Sequence, residues 1–94
     1  MDLIEIIWKR PFVEKLAHKH RVSIQEAETV LTRSSLVVRV ARGHVGGEDV
    51  YEAYGQTLGG RYLVVFFIRK GRAALPISAR NMTPAERRYY EKKR

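Results

Sequence analysis

The hydrophobic period of this chain changes from near 3.6 to 2 at Leu36, and that change constrains the fold more than any other feature. Before it, apolar residues recur every three or four positions; after it, they alternate. A period of two is the signature of strands with one face buried, and four segments carry it: "LVVRVAR", "DVYEAYGQT", "RYLVVFFIR" and "AALPISAR". The connections are "GHVGGE", "LGG" and "KGR", short and glycine-bearing, so consecutive strands are expected to pair as an antiparallel meander. Phe66 and Phe67 lie in the longest apolar run and mark the expected centre of the sheet. Pro76 cannot donate to a ladder, which places its strand at an edge or makes it irregular there.

The helical part comes first. Pro11 suits a first helical turn, and Val13, Leu16, Ala17 and His20 fall along one stripe of a helix over residues 11 to 20. Ser23 followed by Glu26 forms a capping box, in which each side chain reaches the other's free backbone N–H. Ile24, Ala27, Val30 and Leu31 then make the expected buried face of a second helix. A second capping box, Thr83 with Glu86, has Pro84 at the first helical position and starts a third helix that runs towards the C-terminus. The predicted fold is α+β: two N-terminal helices, a four-stranded, mainly antiparallel sheet and a C-terminal basic helix.

Ninety-four residues cannot divide their apolar groups between two stable cores, so residues 1 to 94 are expected to form a single domain. The chain has no cysteine and folds without disulfides, which is compatible with a reducing compartment. Its apolar runs fall far short of the roughly 20 residues of a membrane span. The start of the sequence also lacks the pattern of a secretory signal. A cytoplasmic protein without a membrane partner is the expectation. The net charge of +8 is localised: residues 69 to 94 carry nine basic and two acidic groups, whereas the rest is nearly balanced. Concentrated positive charge fits a polyanion, because neutralised phosphates release condensed counterions. An acidic protein or a merely solvated face would also account for it.

RNA can be cut without a metal if a base takes the 2′-hydroxyl proton, cations stabilise the phosphorane and an acid protonates the leaving oxygen. The histidines are His18, His20 and His44, and their spacing supports no zinc site; His18 and His20, two apart on a helix, point in different directions. Neither a metal nor a cofactor is expected. Arg80 ends a strand just before a helix, where its planar fork matches either a phosphate or a structural partner, Glu86 or Glu91. Ser78 shares its strand face and either donates to phosphate or bonds locally. Glu86 is a candidate base whose capping position already explains it. Tyr90 either stacks on a base, supplies a proton or covers the sheet. Arg87 lies along one side of the last helix with Tyr90 and Glu91. His20 is a candidate acid or base, with a packed or capping histidine as the alternative, and Lys19 beside it belongs to a basic, solvated face. Arg61 and Arg69 share a sheet face, and they join the basic surface only if that face carries the third helix.

Three blocks, "KHRVSIQEA" at 19 to 27, "YGQTLGGRYLVVFF" at 54 to 67 and "ISARNMTPAERRYYE" at 77 to 91, resemble the BrnT family of bacterial toxin–antitoxin operons. The last block, a Ser-Ala-Arg strand end followed by a capped basic helix, is the most specific. The resemblance implies a RelE-like fold and an endoribonuclease that stops translation until a cognate antitoxin binds. It further implies a BrnA-like ribbon-helix-helix antitoxin, through which the complex reaches promoter DNA. Arg21 stands where the family often has glycine, Lys9 where an acidic residue is common and Val50 where an arginine is common. Pro76 interrupts a strand that the family usually builds from β-branched residues. The candidate site read from the residues joins Arg80, Glu86, Tyr90 and His20 as catalytic candidates with Lys19, Arg61, Arg69, Ser78 and Arg87 as RNA ligands. A non-catalytic nucleic-acid or antitoxin-binding module, a degenerate toxin acting as operon co-repressor, is the alternative.

Overall fold

The segment with the longest apolar run forms the middle of a five-stranded sheet. A computed structural model describes residues 5–34, 36–41 and 48–94. Its elements are β1 (Glu5–Ile6), α1 (Arg10–Lys19), α2 (Ile24–Arg33), β2 (Leu36–Ala41), β3 (Val50–Gln56), β4 (Tyr62–Lys70), β5 (Ala73–Asn81) and α3 (Pro84–Lys93). The strand order is β1-β5-β4-β3-β2. Strands β2 to β5 make the expected antiparallel meander. His44 lies outside the described residues.

The sheet differs from the four-stranded expectation by β1, which pairs in parallel with Ala73 and Ala74. Two residues are too few to show alternation, and their pairing partner is almost 70 positions away in the chain. Ile7 extends the contact by donating to the Ala74 carbonyl at 2.8 Å. In the sheet order β5 lies between β1 and β4, but β1 reaches only Ala73 and Ala74, so among the described residues Pro76 has a paired strand on the β4 side alone. The expected irregularity is present: Phe66 pairs with Ser78 and Phe67 with Pro76, so Ile77 is an extra residue. The proline ring is buried at that break in the ladder.

Alternation along β4 divides the core in two. Leu63, Val65 and Phe67 face α1 and α2 in a cluster with Leu16, Val22, Ala27, Val30 and Leu31. Val64 points the other way, to a smaller cluster with Tyr54 and Tyr90, bordered by Leu36, Val38, Tyr62, Phe66 and Met82. Helix α3 therefore covers the face opposite the helix pair. Both capping boxes are formed as predicted. Two stripe assignments are corrected. Ala17 is exposed and Ile24 is 37% exposed, since each stands at the margin of its helix's buried arc. Between the helices Arg21 takes a left-handed conformation, φ +53°, one that glycine adopts without steric cost.

Candidate active site

Arg80 reaches its place through strand register. It pairs with Val64, and Ser78 pairs with Phe66, so both side chains emerge on the α3 face as their spacing predicts. The guanidinium then meets the start of α3. Nη1 and Nη2 donate to Oε1 and Oε2 of Glu86, the second bond at 2.8 Å, and Nη1 also donates to the Asn81 carbonyl at 3.2 Å. Its carbon lies 5.4 Å from the centre of the Phe66 ring. Of the two partners open to Arg80 in the sequence, Glu86 is the one it takes.

Glu86 also accepts from the Thr83 N–H at 2.9 Å, closing the cap. Hydrogen bonding from Arg80, reinforced by the Thr83 amide, holds its carboxyl down to about 2 against the opposing effect of burial. Such a carboxylate is a poor general base near neutrality, where an effective base has a pKa close to the working pH. Tyr90 is 9% exposed, edge-on to Tyr62 with ring centres 6.0 Å apart, and covers the sheet. Tyr89 is instead 40% exposed and edge-on to Tyr54 at 5.8 Å. It is an aromatic surface that residue spacing alone did not single out. Arg87 lies 3.9 Å from the centre of the Tyr62 ring and pairs with Glu91 at 3.2 Å.

A second carboxylate shares this face. Glu52 of β3 pairs with Phe66, which places it in one row with Phe66 and Ser78. It is half-buried, and Tyr54 Oη donates to its Oε1 over a long 3.4 Å. Burial first, then the charge of Glu86, raises its pKa above the ordinary 4.5, while Arg80 and the Tyr54 hydroxyl oppose the rise. Burial, with Glu52 and Glu86 adding to it, pushes the Tyr54 phenol up to about 12. In sequence Glu52 reads as an ordinary polar residue of an alternating strand. Its register position beside Arg80 is the missing signal.

The remaining candidates are elsewhere. Arg61 and Arg69 do share a sheet face, but it is the face of the helix pair. Arg61 donates to the carbonyls of Arg21 at 2.7 Å and His20 at 3.1 Å, to Asn81 Oδ1 at 2.9 Å and to Glu26 at 3.2 Å. It fastens the end of α1 and the start of α2 to β4. Arg69 donates to the Gly71 carbonyl at 2.7 Å and lines a shallow pocket with Asp49 and Tyr51. His20 caps α1, with its pKa lowered by burial and by Lys15 and Lys19. Lys19 is exposed. Among the described residues no three His, Cys, Asp or Glu side chains come together as a metal site.

The family model of the ribonuclease toxin BrnT of type II toxin–antitoxin systems matches residues 8–86. The chain belongs to the BrnT family. No curated protein matches it. The matched segment runs from Trp8 through the Arg80–Glu86 pair, so the strand-to-helix corner lies inside the family's common part and most of α3 beyond it. This BrnT chain is a ribonuclease toxin, with RNA as its target and a cognate antitoxin as its partner. No helix among its described residues is long and apolar enough to cross a membrane.

Proposed function

We propose that this BrnT toxin cleaves RNA without a metal ion on the sheet face that carries α3, with Arg80 as the ligand of the scissile phosphate. The observation that carries the reading is the occupant of Arg80. A planar carboxylate fills both prongs of its fork, which is the geometry a phosphate would take. The Arg80 side chain is 38% exposed against 19% for Glu86, so an incoming phosphate can approach the guanidinium from solvent. Ser78 stands two residues away on the same face, and Tyr89 offers a ring for a base to stack on. Arg87, exposed on α3, adds positive charge for the flanking backbone.

His20, Lys19, Arg61 and Arg69 lie off this face and have no contact with the reacting atoms in this reading. Attack of the 2′-oxygen on phosphorus then leaves a 2′,3′-cyclic phosphate and a free 5′-hydroxyl. Purified protein incubated with RNA tests it. Cleavage should persist in excess chelator and fall by roughly 10²- to 10³-fold in a folded Arg80→Ala variant, the scale of losing one transition-state donor. Loss of activity with chelator, or full activity in Arg80→Ala, rules the reading out.

The same reading takes residues 1–94 as one RelE-like domain acting in the cytoplasm. Its antitoxin is of the BrnA ribbon-helix-helix type, placing a carboxylate on Arg80 in competition with RNA and carrying the complex to promoter DNA.

A further inference from the structure

Cleavage beside Arg80 needs a base for the 2′-hydroxyl, and the candidates named from sequence do not supply it. Glu86 is held ionised by Arg80 and by the α3 cap. Tyr90 is buried against Tyr62, and His20 is on the opposite side of the sheet. We infer that Glu52 is the general base of this toxin, taking the 2′-hydroxyl proton while Arg80 holds the adjacent phosphate. The inference rests on the placement of the reaction at Arg80.

Register and chemistry support it together. The 2′-oxygen and the phosphorus it attacks are about 3 to 3.5 Å apart in a reactive conformer, so base and phosphate ligand must be near neighbours. Glu52 and Arg80 meet that requirement from either side of Phe66. Glu52 pairs directly with Phe66, Arg80 lies against its ring, and the two charges are close enough to act on each other's titration. A ribose lying over Phe66 with its phosphate on Arg80 directs its 2′-hydroxyl towards β3, where Glu52 is the carboxylate. Val38 of β2 and Phe66 of β4 give Glu52 apolar neighbours on the adjoining strands. The charged and titratable groups facing it are Tyr54 on its own strand, Arg80 on β5 and Glu86 on α3. The Tyr54 hydroxyl orients Oε1.

The step balances. Glu52 removes the 2′-proton, the 2′-oxygen forms its bond to phosphorus as the bond to the 5′-oxygen breaks, and the leaving oxygen takes a proton from water. Protonated Glu52 returns its proton to the resulting hydroxide. A half-buried carboxylate with a raised pKa suits this role better than an ordinary surface glutamate.

Single-turnover cleavage of a short RNA by the full chain, followed from about pH 4 to pH 9, tests the assignment in wild type, Glu52→Gln, Glu52→Asp and Arg80→Ala. Glu52→Gln should slow cleavage by roughly 10²- to 10⁴-fold, the usual worth of a positioned base, and abolish the acidic limb of the rate profile. Its affinity for the uncleavable 2′-O-methyl form of the same RNA should stay within about threefold of wild type, and Glu52→Asp should keep the limb at a reduced rate. A Glu52→Gln enzyme that retains the wild-type limb, or a Glu52→Asp enzyme that loses it while folded, overturns the role of Glu52. An inactive Arg80→Ala alongside an unimpaired Glu52→Gln overturns Glu52 alone. An unimpaired Arg80→Ala overturns the location at Arg80 and the base with it.

Discussion

Glu86 joins two structures, the cap of α3 and the fork of Arg80, and its charge is worth most where both are intact. The raised pKa of Arg80 and the lowered pKa of Glu86 describe the same pair and are counted once. A carboxyl lowered from 4.5 to about 2 contributes stability above its unfolded pKa and loses it as the pH falls from about 4.5 through about 2. Urea unfolding should therefore find Glu86→Gln less stable by about 1 to 2 kcal/mol at pH 7, since solvent around the 38% exposed Arg80 screens the pair, and the gap should shrink by about half at pH 3. A gap that does not change with pH would mean that packing, not charge, is what the substitution removes. Arg21 poses the opposite case. A non-glycine residue in the left-handed region costs about 1 kcal/mol, partly offset by the greater freedom of unfolded glycine. Arg21→Gly should raise stability by about 0.5 kcal/mol, read as a higher urea midpoint, because only the backbone carbonyl of Arg21 serves the Arg61 clamp. The cap was legible in "TPAE", because its signals are three residues apart. The fork was legible only as a choice between Glu86 and Glu91, since that choice depends on where α3 turns after β5.

Among the elements, α2 comes close to β3 over Gly55, whose lack of a side chain makes the contact possible. A Cβ at that position would meet Val30 Cγ1 at 3.1 Å and its Cα at 3.4 Å. Val30 is 1% exposed and fixed in the core, so Gly55→Ala must push the helix outward. It should lower stability by about 1 to 3 kcal/mol in thermal or urea unfolding, the usual cost of overpacking. An unchanged melting curve would show that α2 shifts freely. Local periodicity gave the three helices, the meander and the break at Pro76 because each of those signals lies within a few residues. It could not give β1, whose partner Ala73 is remote in sequence. Alternation likewise puts Arg61 and Arg69 on one face without saying which helices cover it. Glu52 escaped notice for the same reason: a lone glutamate in "VYEAYGQ" matches any half-exposed strand, and only the pairing of β3 with β4, and of β4 with β5, brings it to Arg80.

For the molecule as a whole, the excess of positive charge over residues 69 to 94 is one block in sequence and two in space. Arg87, Arg88, Lys92 and Lys93 belong to α3, beside Arg80 at the end of β5. Arg69, Lys70 and Arg72 surround the turn at the other end of that strand, about 30 Å away along nine residues. Lys70 pairs there with Glu48 at 3.3 Å, and Arg69 is bonded to the Gly71 carbonyl. Only the first group flanks the proposed site, so RNA binding should count its charges and not the second group's. Single-stranded nucleic acid loses about 0.7 in the logarithmic salt slope for each phosphate neutralised. Three to five contacts on the α3 face would then weaken binding of a 2′-O-methyl RNA by roughly 20- to 100-fold between about 50 and 200 mM salt. Fluorescence anisotropy titrations check the assignment charge by charge. Arg88→Gln and Lys92→Gln should each make the slope shallower by about 0.7, whereas Arg72→Gln should leave it unchanged. If Arg72→Gln alone reduces the slope, RNA lies along the far turn and the α3 face is not its track.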